Sequence, residues 1–347
     1  MTNHSNQRPV IRTQALTRHF TRSKKTVEAV RGLDLEIHQG ELVAFLGPNG
    51  AGKSTTLRML TTLIPPTSGT AEVAGHDVVR SRGAVRRSIG YVGQGNAAAF
   101  IQRGRDELMS QARAHGIPRA AAKARIEELL VAFDLQEYAD RPVQTLSGGQ
   151  RRRLDIAIGL LNHPEVLFLD EPSTGLDPQN RANLQEQVRT LHQETGSTIV
   201  LTTHYLEEAD ALAGRVIVVD HGLVIADDTA ARLKSGLGDL VTLAFDRADH
   251  AVVAAERAAA RFGHTAYVDR DGDVVTVRAT GASELAPELV TDLASAGTPV
   301  RRIEVARPTL DDVFLNLTGR SLRETAGETG PADSTEENDS ETEEVAA

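Results

Sequence analysis

The sequence predicts an α/β fold in two parts: a parallel sheet with helices over residues 10–225, and a smaller α+β unit over residues 239–319. Two observations predict the first part. Short, largely apolar runs are typical of strands buried on both faces of a sheet, and helical periodicity fills the intervals between them. A third observation predicts the second part, because beyond residue 239 the strand and helix patterns follow the order β-α-β-β-α-β. Strands that alternate with helices favour a parallel sheet in the first part.

The elements of the first part follow one another in regular alternation. Residues 41–46 are predicted as a buried strand, and residues 53–64 as a helix that the Pro65-Pro66 pair ends. The stretch over about 95–165 is predicted to be a mostly helical subdomain. Further strands are predicted at 88–92, 166–169 and 198–202, and an Ala-rich helix at 118–133.

The second part reads as a ferredoxin-like domain. The Asp271-Gly272 pair predicts a hairpin turn between its two middle strands. Residues 226–238, which include two acids and a Gly-Leu-Gly run, are predicted to be a loop linker between the parts. The predicted strands are 240–245, 265–268, 273–279 and 299–305, and the predicted helices are 249–262 and 283–296.

An amphipathic segment over 308–319 completes the second part. Thr309 and Asp312 have the spacing of a capping box at a helix start. We expect this helix to close the C-terminal domain with one apolar face, formed by Leu310, Val313, Phe314 and Leu317.

Composition and charge exclude several classes of protein. The chain has no cysteine, which excludes disulfides, thiolate metal sites and cysteine nucleophiles. The net charge of −10 comes mostly from the Glu-rich tail over 320–347, which we expect to be disordered. The rest is nearly neutral, so no nucleic-acid partner is expected. No run approaches the ~20 apolar residues of a spanning helix, so we expect a cytoplasmic protein, or one held at a membrane only through a partner.

The most specific local pattern is a phosphate-binding loop. It matches G-x-x-x-x-G-K-[ST] between a predicted strand and a predicted helix, which is the context such a loop requires. Glycines let backbone N–H groups converge on phosphate oxygens. The lysine would neutralise the β- and γ-phosphates, and the serine hydroxyl would bind Mg²⁺. The alternative is an ordinary Gly-rich turn with an exposed lysine. The loop consists of Gly47, Pro48, Asn49, Gly50, Ala51, Gly52, Lys53 and Ser54.

Two acids end the predicted strand 166–169. Burying a carboxylate is costly without a partner, and a Mg²⁺–nucleotide complex would supply one. Asp170 would then hold the metal, and Glu171 would act as the general base on an attacking water. The alternative is an ordinary pair of acids where a strand meets a loop.

A third motif, Leu146-Ser-Gly-Gly-Gln150, precedes a predicted helix. A helix N-terminus of this kind can bind an anion, although a serine-capped helix start without a ligand is the simpler alternative. The order of the three motifs along the chain favours the anion site.

Together the three motifs resemble those of ATP-binding cassette (ABC) ATPases, over about residues 10–225. The resemblance implies a P-loop NTPase fold that binds ATP and Mg²⁺, with Thr55 completing the phosphate loop and Lys53 and Glu171 as catalytic residues. It also implies that the signature residues Ser147, Gly148, Gly149 and Gln150 close over ATP held by the opposite subunit. One copy of each motif per chain then implies an ATP-dependent homodimer.

The resemblance assigns further positions. Gln94 matches the glutamine that contacts Mg²⁺, and His204 matches the switch histidine that contacts the γ-phosphate and orients Glu171. Residues 173–177 match the loop by which two cassettes sense each other, and Phe20 is the candidate for stacking on adenine. The alternatives are a solvated loop glutamine, a structural histidine and a core phenylalanine.

Two features resemble one branch of the family, the ATPase subunits of daunorubicin-resistance-type exporters. They are residues 308–319 and the Tyr91–Gln94 run. This branch implies a separate polytopic membrane permease, location at the cytoplasmic face of the membrane, and export of a hydrophobic compound or antibiotic. Residues 95–108 depart from the branch pattern, which leaves the partner and the cargo open. The alternatives are an ATPase of another transport system and a non-transport ABC protein, while a phosphate-loop kinase or GTPase leaves the signature unexplained.

Overall fold

The computed structural model describes residues 8–22, 25–95, 101–263 and 266–319, and these contain three sheets. In the first sheet the strand order is β2-β1-β4-β5, in the second β10-β9-β3-β8-β7-β6, and in the third β12-β13-β11-β14. The strands are β1 (Ile11–Arg22), β2 (Lys25–Ile37), β3 (Leu42–Leu46), β4 (Ser68–Val73), β5 (His76–Asp77), β6 (Ile89–Val92), β7 (Val166–Asp170), β8 (Thr198–Thr203), β9 (Arg215–Asp220), β10 (Leu223–Asp228), β11 (Asp239–Ala244), β12 (Tyr267–Asp271), β13 (Val274–Ala279) and β14 (Arg302–Ala306).

Helices lie between most of these strands, as the alternating pattern predicted. A short 3₁₀ turn at Val143–Thr145 precedes the signature motif. The α-helices are α1 (Lys53–Leu60), α2 (Arg82–Ser88), α3 (Gly104–Ala114), α4 (Arg119–Ala132), α5 (Gly148–Gly159), α6 (Pro178–Thr195), α7 (Leu206–Leu212), α8 (Ala230–Ser235), α9 (Ala248–Phe262), α10 (Ala282–Ser295) and α11 (Leu310–Thr318).

The six-stranded sheet confirms the predicted α/β class. Strands β6, β7, β8, β3 and β9 run parallel, and β10 pairs antiparallel with β9 at one edge. Every residue of β3, β7 and β8 is buried, which explains their apolar runs. The carboxyl ends of these parallel strands meet at one edge of the sheet, where ligands of open α/β sheets bind.

The antiparallel sheet of β1, β2, β4 and β5 was absent from the sequence prediction. Its long strands are buried on one side only, and β1 pairs with β2 through several register shifts. Such bulges interrupt the two-residue alternation from which a strand is read. The core between this sheet, α1 and the central sheet includes Ile11, Leu35, Phe45, Leu57 and Phe168. This packing fixes α1, and with it the phosphate loop.

Helix α1 is shorter than predicted. It ends at Leu60 rather than at Ile64, well before the proline pair. The hydroxyl of Thr61 donates to the Leu57 carbonyl at 2.8 Å, and Thr62 adopts a left-handed backbone with φ of 64°. Apolar spacing alone did not reveal this end, because Ile64 still packs against the same core.

The C-terminal sheet has the antiparallel strand order of a ferredoxin-like domain, which confirms that prediction. Helices α9 and α10 pack on one face of it, around Val241, Leu243, Val275 and Val277. Strand β12 begins at Tyr267, two residues later than the prediction, and the Asp271-Gly272 turn lies where it was expected.

Two predictions about the connecting segments were wrong. Residues 226–238 are not a loop, because they contain the end of β10 and helix α8. Helix α11 does not close the C-terminal sheet, since its apolar face packs against α7 and α8 in the core of the first part. Helices α9 and α10 cover one face of the C-terminal sheet, whereas α11 buries its apolar stripe in the first part. An ion pair of 3.1 Å between Arg278 and Asp312 joins α11 to that sheet.

Two further predictions fall outside the described residues: the acidic tail over 320–347, and residues 96–100 of the segment after Gln94. Among the helices that the structure does describe, none has the length and apolar character needed to cross a bilayer.

Candidate nucleotide-binding site

The loop between β3 and α1 can adopt its shape only with glycine at several positions. Gly50 and Gly52 have φ values of 80° and 105°, a left-handed backbone that favours glycine. A Cβ atom on Gly52 would lie 2.3 Å from the Ala29 carbonyl oxygen, and one on Gly47 would lie 2.1 Å from that of Val219. No side chain caps the first turn of α1. Its N–H groups are therefore left to bind an anion.

Lys53 lies inside this loop, with only 3% of its surface exposed. Its Nζ donates to the carbonyl oxygens of Gly47 at 2.7 Å and Pro48 at 2.9 Å. Burial lowers the pKa of Lys53, and the carboxylates of Glu171 and Asp170 act against that shift. A buried ammonium held by carbonyl oxygens can exchange them for phosphate oxygens without leaving the loop.

Asp170 ends β7 and is fully buried among hydroxyl groups. Its Oδ1 accepts from Ser54 Oγ and from Thr202 Oγ1, each at 2.7 Å, and its Oδ2 lies 3.4 Å from the Tyr91 hydroxyl. Gln94 Nε2 donates to Ser54 Oγ at 3.1 Å. The structure thus brings the three predicted metal ligands, Ser54, Gln94 and Asp170, together.

This set of donors fits Mg²⁺. Hydroxyl, carboxylate and amide oxygens suit a hard cation, and Mg²⁺ in nucleotide sites takes only one or two carboxylates from the protein. The described part of the chain contains no cluster of three or more histidine or acidic side chains that could hold a metal.

Glu171 follows Asp170 with a left-handed backbone, at φ of 47°. Its N–H donates to Thr202 Oγ1 at 2.9 Å, and its Oε2 accepts from Thr174 Oγ1 at 3.1 Å. His204 Nδ1 lies 3.6 Å from the same Oε2. The His204 imidazole and the Lys53 ammonium hold the pKa of Glu171 below its usual value, although burial opposes them. The carboxylate is therefore held in its ionised form, the form that a general base requires.

A cavity of about 340 Å³ lies between the phosphate loop, Gln94 and Glu171. The signature residues are not among those that line it. Ser147 and Gln150 instead form a capping box at the start of α5, with hydrogen bonds of 3.2 and 2.9 Å. The lining residues are Asn49, Gly50, Ala51, Gly52, Lys53, Ser54, Thr55, Gln94 and Glu171.

The remaining predicted residues lie outside the cavity lining. Phe20 is 40% exposed near the end of β1, with the Arg18 guanidinium 4.6 Å from its ring centre. Asp177 caps α6 by accepting from the Asn180 N–H at 3.0 Å. Gly148 opens α5, and a Cβ on the next residue, Gly149, would lie 2.4 Å from Asn180 Oδ1. The signature motif thus packs directly against the helix that follows residues 173–177.

Sequence reasoning missed Thr202 and assigned no role to the side chain of Tyr91. Both residues lie at the carboxyl ends of β8 and β6, the parallel neighbours of β7. Only a prediction of which strands are neighbours could have identified them.

Comparison with known proteins agrees with this geometry. Residues 30–174 match the family model described as ABC transporter, and residues 244–318 match the C-terminal domain of DrrA1-3-like ATP-binding proteins. The daunorubicin resistance ATP-binding protein DrrA3 of Streptomyces coeruleorubidus is 45% identical over 85% of this chain and 93% of its own length. The daunorubicin/doxorubicin resistance ATP-binding protein DrrA of Streptomyces peucetius is 42% identical over 86% of this chain and 92% of its own.

The chain belongs to the daunorubicin-resistance-type family of ABC transporter ATP-binding subunits. Its fold is also similar to the ATP-binding cassette MJ0796, solved as a dimer in a post-hydrolysis state with ADP and Pi. That similarity has a TM-score of 0.57 and 25% identity, and covers 63% of this chain and 98% of the other. This ABC subunit is therefore an ATPase, as the motifs predicted.

Proposed function

We propose that this ABC ATPase hydrolyses ATP with Mg²⁺ at sites shared by two copies of the chain. We further propose that it drives a separate membrane permease that exports a hydrophobic compound. One observation supports the proposed hydrolysis. A single cavity is lined by Lys53, Ser54, Gln94 and Glu171, and Asp170 accepts a hydrogen bond from Ser54. Electrostatics and positioning are what phosphoryl transfer requires from a protein.

In this proposal each residue has a distinct task. Lys53 and the N–H groups of α1 neutralise the phosphate oxygens, and Glu171 takes the proton of the water that attacks the γ-phosphorus. The bond to the β–γ bridging oxygen breaks, and ADP leaves. His204 orients Glu171 and contacts the γ-phosphate. Mg²⁺, held by Ser54, Asp170 and Gln94, would neutralise charge on the phosphates. Phe20 stacks on adenine.

The homodimer follows from the separation of the motifs. The cavity lining contains no signature residue, so a second chain would have to present its Ser147–Gln150 segment to complete the site. The dimeric cassette with ADP and Pi supports this arrangement.

We propose a separate permease because the chain matches the family model described as ABC transporter, and moving a solute through a bilayer requires membrane-spanning structures. None of the described helices could supply such a structure. We propose that the chain lies at the cytoplasmic face of the membrane through contact with that permease. The contact would include the Gln94 loop. Relatives named for daunorubicin and doxorubicin resistance support a hydrophobic cargo.

Drug tolerance in a cell that depends on the pump tests the proposal. Chain and permease expressed together should restore tolerance, whereas Lys53→Ala should not, and Glu186→Gln on an exposed ion pair should behave as the parent. The chain should sediment with membranes only when the permease is present. Unchanged tolerance with Lys53→Ala, or equal membrane binding without any permease, would contradict the proposal.

A further inference from the structure

Arg152 joins three parts of the site through a single side chain. It lies in α5, two residues after the signature glutamine. Within the described part of the chain, its hydrogen bonds all go to backbone carbonyl oxygens. Nε donates a hydrogen bond to the carbonyl oxygen of Pro172 at 2.8 Å, and Nη1 donates to that of Gly93 at 2.7 Å. Nη2 donates to the carbonyl oxygens of Asp170 at 3.2 Å and Glu171 at 3.4 Å. The guanidinium therefore connects the signature helix to the exit of β7 and to the residue before Gln94.

The guanidinium is buried, with 8% of the residue exposed. Taking a charge out of water is costly unless it is paired and hydrogen-bonded. Burial lowers the pKa of Arg152, and the carboxylates of Asp155, Asp170 and Glu208 oppose that shift. Four backbone carbonyl oxygens accept hydrogen bonds from the guanidinium. The neighbouring Arg153 on the same helix donates a hydrogen bond from Nη1 to the Phe133 carbonyl oxygen at 3.0 Å, away from the site.

The carbonyl groups that Arg152 holds flank the strained backbone of Glu171. A left-handed conformation at a non-glycine residue is strained and persists only where its surroundings enforce it. Thr202 restrains the Glu171 N–H, and Arg152 restrains the carbonyls of Asp170, Glu171 and Pro172. The same guanidinium fixes Gly93, and so the start of the loop whose Gln94 contacts Ser54.

We propose that Arg152 is a positioning residue that sets the Glu171 carboxylate and the Gln94 loop according to the position of α5. This inference rests on the proposed role of Glu171 and on the shared dimer site. In that dimer, the signature motif at the start of α5 contacts the partner's ATP. Arg152 then transmits the docking of the signature to the chain's own catalytic carboxylate, without touching nucleotide itself.

Steady-state kinetics of the full chain tests the positioning role. Arg152→Met should lower kcat roughly 10- to 100-fold, the cost of a small misplacement of a catalytic group. KM should stay within about twofold, because nucleotide contacts are kept. Arg152→Lys retains the charge and some carbonyl contacts, so it should recover part of kcat. If Arg152→Met does not fold, the kcat of Arg152→Lys relative to the parent tests the positioning role instead. Arg153→Met is the matched control and should keep the parent kcat.

A double-mutant cycle tests the transmission. Ser147→Ala weakens the signature contact, and if its effect passes through Arg152, the double variant should lose little more than the worse single variant. The cycle with Arg153→Met should be additive. Parent-like kcat in both Arg152 variants, or additive losses with Ser147→Ala, would overturn the inference while leaving the proposed function intact. A parent chain whose hydrolysis does not depend on Glu171 would instead overturn the proposed function, and the inference with it.

Discussion

Two adjacent carboxyl groups at the end of β7 have different surroundings, and this difference separates their roles. Asp170 is fully buried and accepts hydrogen bonds from Ser54 and Thr202. Glu171 reaches the cavity, where Thr174 and His204 contact its carboxylate. A carboxylate bound by hydroxyl groups suits charge neutralisation, whereas one that borders the cavity can accept a proton.

Replacing Glu171 by glutamine should remove turnover and preserve binding. The amide cannot accept a proton from water, so kcat should fall roughly 10²- to 10⁴-fold, the usual contribution of a general base. ATP affinity, measured by equilibrium binding, should change little, because glutamine has the same size. Lys53→Ala, by contrast, should weaken ATP binding in addition to lowering turnover. Hydrolysis by Glu171→Gln at the parent rate would contradict the general-base role.

The ATPase activity should depend on pH through Glu171. His204 is the largest cause that lowers the pKa of this carboxyl below the ordinary value of 4.5. His204→Ala should therefore raise that pKa, so that the base is protonated, and kcat lost, at a higher pH than in the parent. The normalised acid limb of the pH–kcat profile measures this shift. His192→Ala, whose imidazole contacts the Ser197 carbonyl, is the control and should leave the acid limb unchanged.

At the scale of elements, helix α11 connects the C-terminal part to the first part. Phe314 is 1% exposed and lies in the same apolar cluster as Leu206, Leu212 and Ala230. The chain thus leaves the C-terminal sheet after β14 and returns to pack on α7 and α8. The apolar stripe of α11 therefore covers helices of the first part rather than the C-terminal sheet that precedes it in sequence.

Truncating the Phe314 side chain should destabilise the first part. Phe314→Ala should lower the free energy of unfolding by about 3–5 kcal/mol, the typical cost of such a cavity. Urea denaturation measures the loss, and hydrogen exchange should quicken in α7 and α8 rather than in β11 and β13. Leu317→Ala, at a residue 44% exposed, is the control. Faster exchange confined to the C-terminal sheet would contradict this packing.

At the scale of the whole molecule, one chain contains a phosphate loop and a signature that do not line the same cavity. Glu171→Gln should therefore form a dimer with ATP and Mg²⁺, because it binds ATP without releasing it through hydrolysis. Size-exclusion chromatography with light scattering measures the mass. With ADP in place of ATP, Glu171→Gln should remain a monomer. The double variant Glu171→Gln, Lys53→Ala should remain a monomer even with ATP. A strict monomer at saturating ATP, in a chain whose parent hydrolyses ATP, would contradict the shared site.

The sequence by itself determined the class of the central sheet and of the C-terminal sheet, and it indicated most of the residues of the candidate site. Apolar runs such as 166–169 revealed the buried strands, because a strand covered on both faces excludes polar side chains. The phosphate loop could be located because its glycines are required locally: Gly50 and Gly52 both have a left-handed backbone. Features with local causes of this kind can be read in a single chain segment.

The tertiary structure alone decided which distant groups meet. Thr202 reaches Asp170 because β8 lies beside β7, and Arg152 reaches Gly93 because α5 packs beside the end of β6. The position of α11 is likewise decided by a tertiary contact, because its apolar face packs on α7 and α8. These contacts join residues far apart in sequence through strand order and packing, which no short sequence pattern encodes.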